Sequence, residues 1–353
     1  MERIALVLFL GWSFSLWLDW SLQFRFPVSH FYIASGPMIS DIHHIFLPFQ
    51  TTFILVFAMI ACGFVIRIFI TYNINYTLIF ELDEIKKIKD LEMLRIGSFY
   101  LLIWCILFLA QLIFVKFLLT DNLRTLAVFS LMVWSFFFLL PFIPFWCLWY
   151  NTWLTIIDDI WNIMIAPIGK LRFMQFFIAD IMCSMVWPFL EIPQTTCFFI
   201  QGYFQNDPSP TCSWQFGLML ALGIFPYYAR FMQCMKKYYE TWNAFPHVVN
   251  GLKYCSSILS FIIGFYNPLG SDWFYISIGF YIFSTTFSLI WDIVMDWGLL
   301  RTKEKGKYGL RSKIMYPPYF YYFCIVTNSI LWYTWLLNLA GSTHFFTTQF
   351  RGA

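Results

Sequence analysis

Apolar windows of about 20 residues recur along the chain, the length a helix needs to cross a bilayer. Nine are visible, at about 4–21, 48–70, 97–118, 125–149, 173–190, 214–234, 253–271, 273–298 and 317–340. Polar residues gather in short loops between them, and no stretch suits a soluble domain. Asn267-Pro268-Leu269-Gly270 separates the seventh window from the eighth with a tight-turn signal. The segment 151–172, NTWLTIIDDIWNIMIAPIGKLR, departs from this pattern. Its Trp153, Ile156, Ile157, Trp161 and Ile163 mix with Asp158 and Asp159, which predicts an interfacial amphipathic helix. The expected fold is therefore all-α, a polytopic membrane helix bundle of about nine transmembrane helices. Residues 1–150 form N-terminal membrane helices, 151–172 the interfacial helix, and 173–353 a second membrane core.

Composition agrees. Of 353 residues, 60% are hydrophobic and only 12% charged, against about 25% charged in soluble domains. The first 22 residues, MERIALVLFLGWSFSLWLDWSL, lack a small-residue cleavage site and carry Trp and Asp near their end. They read as a retained span rather than a signal peptide. The sequence holds no Walker loop, HExxH, GxSxG or CxxC motif, and no basic-aromatic nucleic-acid pattern. Neither an enzyme nor a nucleic-acid partner is expected. No second His stands at metal-ligand spacing, so no metal or other cofactor is expected.

Charge orients the bundle. One set of alternate loops holds Arg67, Lys86, Lys87, Lys89, Arg95, Lys170, Arg172, Lys236, Lys237 and the run from Arg301 to Lys313. The other holds Arg25, Lys116, Arg124 and Arg351. The positive-inside rule places the first set in the cytosol with the N-terminus. The sequon Asn75-Tyr76-Thr77 then falls on the cytosolic side and is expected to stay unmodified. Cys197 and Cys212 stand apart from the other cysteines, in a polar loop on the non-cytosolic side. They suit either a disulfide in an oxidising lumen or two free interfacial thiols.

Candidate chemistry lies with the few ionisable groups at membrane depth. Asp292 and Asp296 are four residues apart in FYIFSTTFSLIWDIVMDWGLL, so helical spacing puts both on one face. A carboxylate in hydrocarbon is costly and usually faces a bundle interior or a wet path. The other reading has the pair snorkelling at a helix end, since Trp297, Gly298 and Arg301 follow. Asp180 sits mid-window in RFMQFFIADIMCSMVWPFL, as a functional group or as a hydrogen-bond partner for a neighbouring helix. Arg230 closes the sixth window and also suits an interface marker. Lys253 and Tyr254 open the seventh, where a Lys commonly snorkels. Three carboxylates facing one or two cations suit ion-pair gates better than an anion cage.

Four runs resemble the signature of EXS-domain proteins: IAPIGKLRFMQFFIAD (165–180), PYYARFMQCMKKYYETWNAFPHVVNGLKY (226–254), LIWDIVMDWGLL (289–300) and YPPYFYYFCIVTNSILWYTW (316–335). The resemblance spans about 145–340. That family includes phosphate exporters with a cytosolic SPX sensor domain and short fungal Golgi proteins without one. This chain is similar to the short, SPX-less type, which recovers lumenal phosphate and supports retention of Golgi glycosyltransferases and lumenal ER proteins. The resemblance implies a pore in the C-terminal half, so 173–353 becomes an EXS-like transport core. It places Asp180, Lys253, Tyr254, Asp292 and Asp296 on the phosphate path, and it matches Cys197 and Cys212 to a lumenal disulfide. Two departures follow from the same comparison. Trp332, in ILWYTW, stands where the family pattern ILRFxW has Arg, and the chain stops at THFFTTQFRGA with no counterpart to the family's tenth helix.

The expected function is movement of inorganic phosphate from Golgi lumen to cytosol, with Asp180, Arg230, Lys253, Tyr254, Asp292 and Asp296 as binding residues. The alternative is a non-transporting membrane scaffold that sorts glycosyltransferases. Expected partners are phosphate, the lipid bilayer, glycosyltransferases or coat proteins, and a second copy of the chain. The expected location is the Golgi membrane, with the endoplasmic reticulum as the other compartment.

Overall fold

Inside a bilayer every backbone N–H and C=O must find a partner within its own segment or a closed barrel. In the computed structural model every regular element among the described residues is helical. The structure describes 38–82, 90–118, 129–133, 135, 150–169, 171–200, 212, 214–266, 272–301, 308–311, 314, 316–333 and 335–336. The helices are α1 (Met38–Thr71), α2 (Tyr76–Ile79), α3 (Asp90–Leu118), α4 (Tyr150–Met164), α5 (Phe173–Ser184), α6 (Val186–Ile200), α7 (Gln215–Thr241), α8 (Ala244–Phe265), α9 (Asp272–Trp291) and α10 (Pro318–Trp332). A π-helical turn, Asp292–Asp296, extends α9.

Four helical stretches are long and apolar enough to cross a membrane: Thr51–Thr71, Leu91–Ile113, Ala244–Phe265 and Trp273–Asp296. The bent pair α5–α6 makes a fifth when taken as one span. The expected span 4–21, and 125–149 apart from 129–133 and 135, lie outside the described residues. The window 173–190 is not one straight helix. It breaks at Met185 with a 62° bend and continues as α6.

Two windows begin or end elsewhere than hydropathy places them. The window ending at 234 continues to Thr241, and the one opening at 253 begins at Ala244. Arg230 and Lys253 are therefore interior residues of helices α7 and α8. Lys236, Lys237 and Glu240 lower the mean hydropathy after 234, and Pro246, His247 and Asn250 lower it before 253. A window average reads these as loop, whereas a helix pairs its backbone groups within itself whatever its side chains face.

Packing assembles the helices around α7. This helix lies against α5, α6 and α8, and α8 in turn against α9. The N-terminal pair α1–α3 packs through small residues. A side chain on Gly63 would meet Leu94 at 2.8 Å, and Gly97 lies against Ile60. Such residues let helix backbones approach closely where no hydrophobic drive separates protein from lipid. The pair joins the core where Thr51 on α1 donates to the buried Glu191 on α6 at 2.5 Å. Glu191 is a buried carboxylate that its sequence context does not single out.

Helix α4 is amphipathic with its polar side inward. Thr152, Thr155, Asp159 and Asn162 are buried, while Leu154, Ile157, Ile160, Trp161 and Met164 are exposed. An apolar outer face and an inward polar face suit a helix solvated by lipid.

Cys197 and Cys212 form a disulfide, with Cα atoms 6.0 Å apart. It ties the end of α6 to the start of α7 across 15 residues. Such a closure is worth about 3 kcal/mol in the chain-entropy model. The double variant Cys197→Ser/Cys212→Ser is expected to lower the thermal unfolding midpoint of the purified protein. Peptide mapping without reduction should recover the two segments linked. Recovery as free thiols rejects the bridge.

Candidate functional site

The site is built where α5, α7, α8 and the π turn meet. Helix α7 buries one face: Pro226, Ala229, Arg230, Gln233 and Cys234. Ala229 packs with Ile163 of α4 and Ala179 of α5. These small side chains bring α5 close enough for Asp180 to reach Arg230.

Arg230 Nε lies 2.6 Å from Asp180 Oδ1. The same Nε–H also donates to the Tyr254 hydroxyl at 3.0 Å, and that hydroxyl donates to Asp180 Oδ1 at 2.6 Å. The three groups close a triangle across three helices. Arg230 is 5% exposed, and its guanidinium lies over the rings of Phe176 and Tyr254 at 5.1 and 4.9 Å. Aromatic faces supply attraction to the cation without taking up its N–H donors.

Lys253 precedes Tyr254 on α8 and is 8% exposed. Its Nζ sits 4.5 Å from the centroid of Tyr254 and 5.7 Å from that of Trp291. Among the described residues it makes no ion pair. It does act electrostatically on both Asp292 and Asp296. An ammonium held by ring faces and short of direct acceptors is a donor ready for an incoming anion.

The π turn places the two carboxylates. Trp297 N–H bonds the Asp292 carbonyl at 2.8 Å, the wide loop of a π helix. Such bulges recur at functional sites because they re-aim side chains within a helix. Below the turn, Ile293, Leu299 and Leu310 pack with Tyr321 and Ile325 of α10. Arg311 donates to the Trp297 carbonyl. This anchor sets α10 so that Trp332 Nε1 donates to Asp292 Oδ2 at 2.9 Å. Asp292 is 1% exposed, whereas Asp296 is exposed. Asp296 still lies in the electrostatic reach of Lys253, Asp180 and Arg230.

The structure thus joins Asp180, Arg230 and Tyr254 by direct contact and sets Lys253, Asp292 and Asp296 beside them. Three carboxylates against two cations leave a formal charge of −1. Sequence reading missed Gln233, which accepts from Arg230 Nη1 at 2.8 Å. Its position three residues after Arg230, on one helix face, was the available signal. Sequence reading also left Trp332 as a departure from a pattern, without the hydrogen bond that gives it a role. Among the described residues no group of three metal-ligating side chains is present.

The chain is 29% identical over 290 residues to human "Solute carrier family 53 member 1" and 28% over 284 residues to the Danio rerio "Xenotropic and polytropic retrovirus receptor 1 homolog". It is 27% identical over 288 residues to the Mus musculus solute carrier of the same name. Each alignment covers 76% of this chain and 40–41% of the relative, so the chain spans about two fifths of the length of the curated relatives it matches. A model of the EXS family matches residues 45–351, which contain every side chain of the site, and the chain belongs to the EXS family.

Proposed function

We propose that this protein carries inorganic phosphate across its membrane through the α5–α7–α8–π-turn site. The carrying observation is Lys253, a buried ammonium in a cluster of charges with no ion pair among the described residues. An unpaired buried cation is costly, so its presence calls for a ligand that neutralises it. Membership of the EXS family, which includes phosphate exporters, supports the substrate class, and the solute-carrier name of the relatives supports transport.

In the empty site Asp180 occupies Arg230, and Asp292 with Asp296 holds the field on Lys253. Phosphate oxygens replace Asp180 on the guanidinium and take the Lys253 ammonium, with Tyr254 as a third donor. Releasing a carboxylate as the anion enters keeps Arg230 paired at both stages, while Lys253 gains its partner with the anion. The excess negative charge favours entry coupled to a proton, which would neutralise one carboxylate. In the cell the basic loops face the cytosol, and flux runs from Golgi lumen to cytosol. Clearing lumenal phosphate there supports retention of glycosyltransferases.

Phosphate uptake by proteoliposomes containing the purified protein tests this reading. Trp332→Arg sharpens the test, because it turns a neutral donor on Asp292 into a cation. The site charge rises from −1 to 0, so the half-saturating phosphate concentration is expected to fall several-fold. A chain that moves no phosphate, with or without Trp332→Arg, is no transporter of that ion. The carboxylate excess favours a second reading, a membrane scaffold that sorts glycosyltransferases. Loss of enzyme retention on deleting the protein, together with absent flux, selects it.

A further inference from the structure

A line of buried amides leads away from the site toward the lipid-facing helix α4. Arg230 Nη1–H donates to Gln233 Oε1 at 2.8 Å. Gln233 Nε2–H donates to the Gln175 backbone carbonyl at 3.2 Å. Gln175 Nε2–H donates to Asp159 Oδ1 at 2.5 Å. The oxygen of the same Gln175 side chain accepts from the Arg172 backbone N–H at 2.6 Å, which fixes which way its amide points. Both glutamines are 0% exposed, and Asp159 is buried on the inner face of α4.

Every link points the same way. Each N–H lies on the Arg230 side and each accepting oxygen on the Asp159 side, so the amide dipoles align head to tail. A guanidinium at one end and a carboxylate at the other are the two charges that favour this alignment, and polarised hydrogen bonds strengthen one another in a low dielectric. Reversing the Gln233 amide would set its NH₂ against the Arg230 N–H and leave the Gln175 carbonyl unmet. Unpartnered buried polar groups are expensive, so the chain resists partial rearrangement.

We infer that Asp159, Gln175 and Gln233 form a positioning relay that anchors the Arg230 guanidinium to α4, so that the anion meets a fixed fork of donors. The relay holds Arg230 from the side away from Asp180. When Asp180 yields its place to the anion, Gln233 keeps the guanidinium in the same plane. None of the three touches the anion. Their effect is on how well Arg230 receives it, and the inference rests on the phosphate reading of the site.

The test measures phosphate uptake against concentration in proteoliposomes of the full chain. Gln233→Leu and Asp159→Asn are expected to raise the half-saturating phosphate about tenfold, with maximal rate within about twofold. A hydrogen bond to a charged group is worth about 1.5–3 kcal/mol, and 1.4 kcal/mol is tenfold. Gln233→Glu keeps an acceptor on Arg230 but sets a carboxylate against the Gln175 carbonyl, so it should raise half-saturation too; full recovery would show that a local acceptor suffices and overturn the relay. A second readout does not need transport. In thermal unfolding, the midpoint losses of Asp159→Asn and Arg230→Met should sum to more than the loss of the double variant. The two residues do not touch, so without a relay the losses simply add. Asp159→Asn preserves shape and serves if Gln233→Leu does not fold. Unchanged half-saturation in the foldable variants, or strictly additive midpoints, overturns the relay. If the unmodified protein moves no phosphate, the substrate reading fails and the unfolding cycle alone decides the relay.

Discussion

Lys253→Ala is expected to cut phosphate flux in proteoliposomes by about tenfold to a hundredfold while leaving the amount of folded protein in the membrane unchanged. A charged hydrogen bond to the anion, about 1.5–3 kcal/mol, sets that range. The second half of the expectation follows from what surrounds the ammonium. Among the described residues Lys253 has no ion pair, and its Nζ rests on the faces of Tyr254 and Trp291. Ring-face attraction of about 1–2 kcal/mol is set against the cost of burying an ammonium, so its removal is close to neutral for folding. A residue whose loss cuts flux this far without changing stability is held for its ligand. Flux and protein level need to be measured on the same membranes. Equal flux at equal abundance would make Lys253 a packing residue, and the proposed site would lose its open donor.

Arg230→Met is expected to behave differently, losing both flux and stability. It strands Asp180, and it removes the partner of Gln233 inside a closed amide chain. Breaking a fully buried ion pair costs about 3–5 kcal/mol. The Asp180 side chain is 35% exposed, so about 2 kcal/mol is the appropriate figure here. Adding Asp180→Asn to Arg230→Met removes the stranded charge and should recover part of the unfolding midpoint. Flux should stay absent in the double variant, because the donor fork is gone. A double variant no more stable than Arg230→Met would show that the ion pair does not hold α5 to α7. Together with Lys253→Ala, the comparison separates a cation that the empty site needs for its structure from one that only the ligand needs.

The sequence by itself determined the class of fold and the family. Long apolar windows have no stable home outside a bilayer, and the runs around 165–180, 226–254, 289–300 and 316–335 carry the EXS pattern in order. It also singled out six candidate groups: Asp180, Asp292 and Asp296 as charges within apolar windows, and Arg230, Lys253 and Tyr254 at window ends. What it misplaced was the helix ends. Arg230 and Lys253 read as span ends because window hydropathy sums over all faces of a helix, and polar neighbours on one face lower the sum. Only the folded helices show Arg230 and Lys253 buried inside longer helices, at 5% and 8% exposed.

Contacts between distant segments were decided by tertiary structure alone. Nothing in IADIMC indicates that Asp180 meets Arg230 and Tyr254, since the pairing depends on small residues that bring α5 and α7 together. The bend at Met185 and the π turn at Asp292–Asp296 are local geometries that the surrounding packing selects. Trp332 shows the limit most clearly. In sequence it is a missing arginine, whereas in the fold its indole N–H reaches Asp292 because Ile293, Leu299 and Leu310 fix α10 against the π turn. Which side chain meets a buried carboxylate depends on packing between segments 40 residues apart, and no pattern within either segment records it.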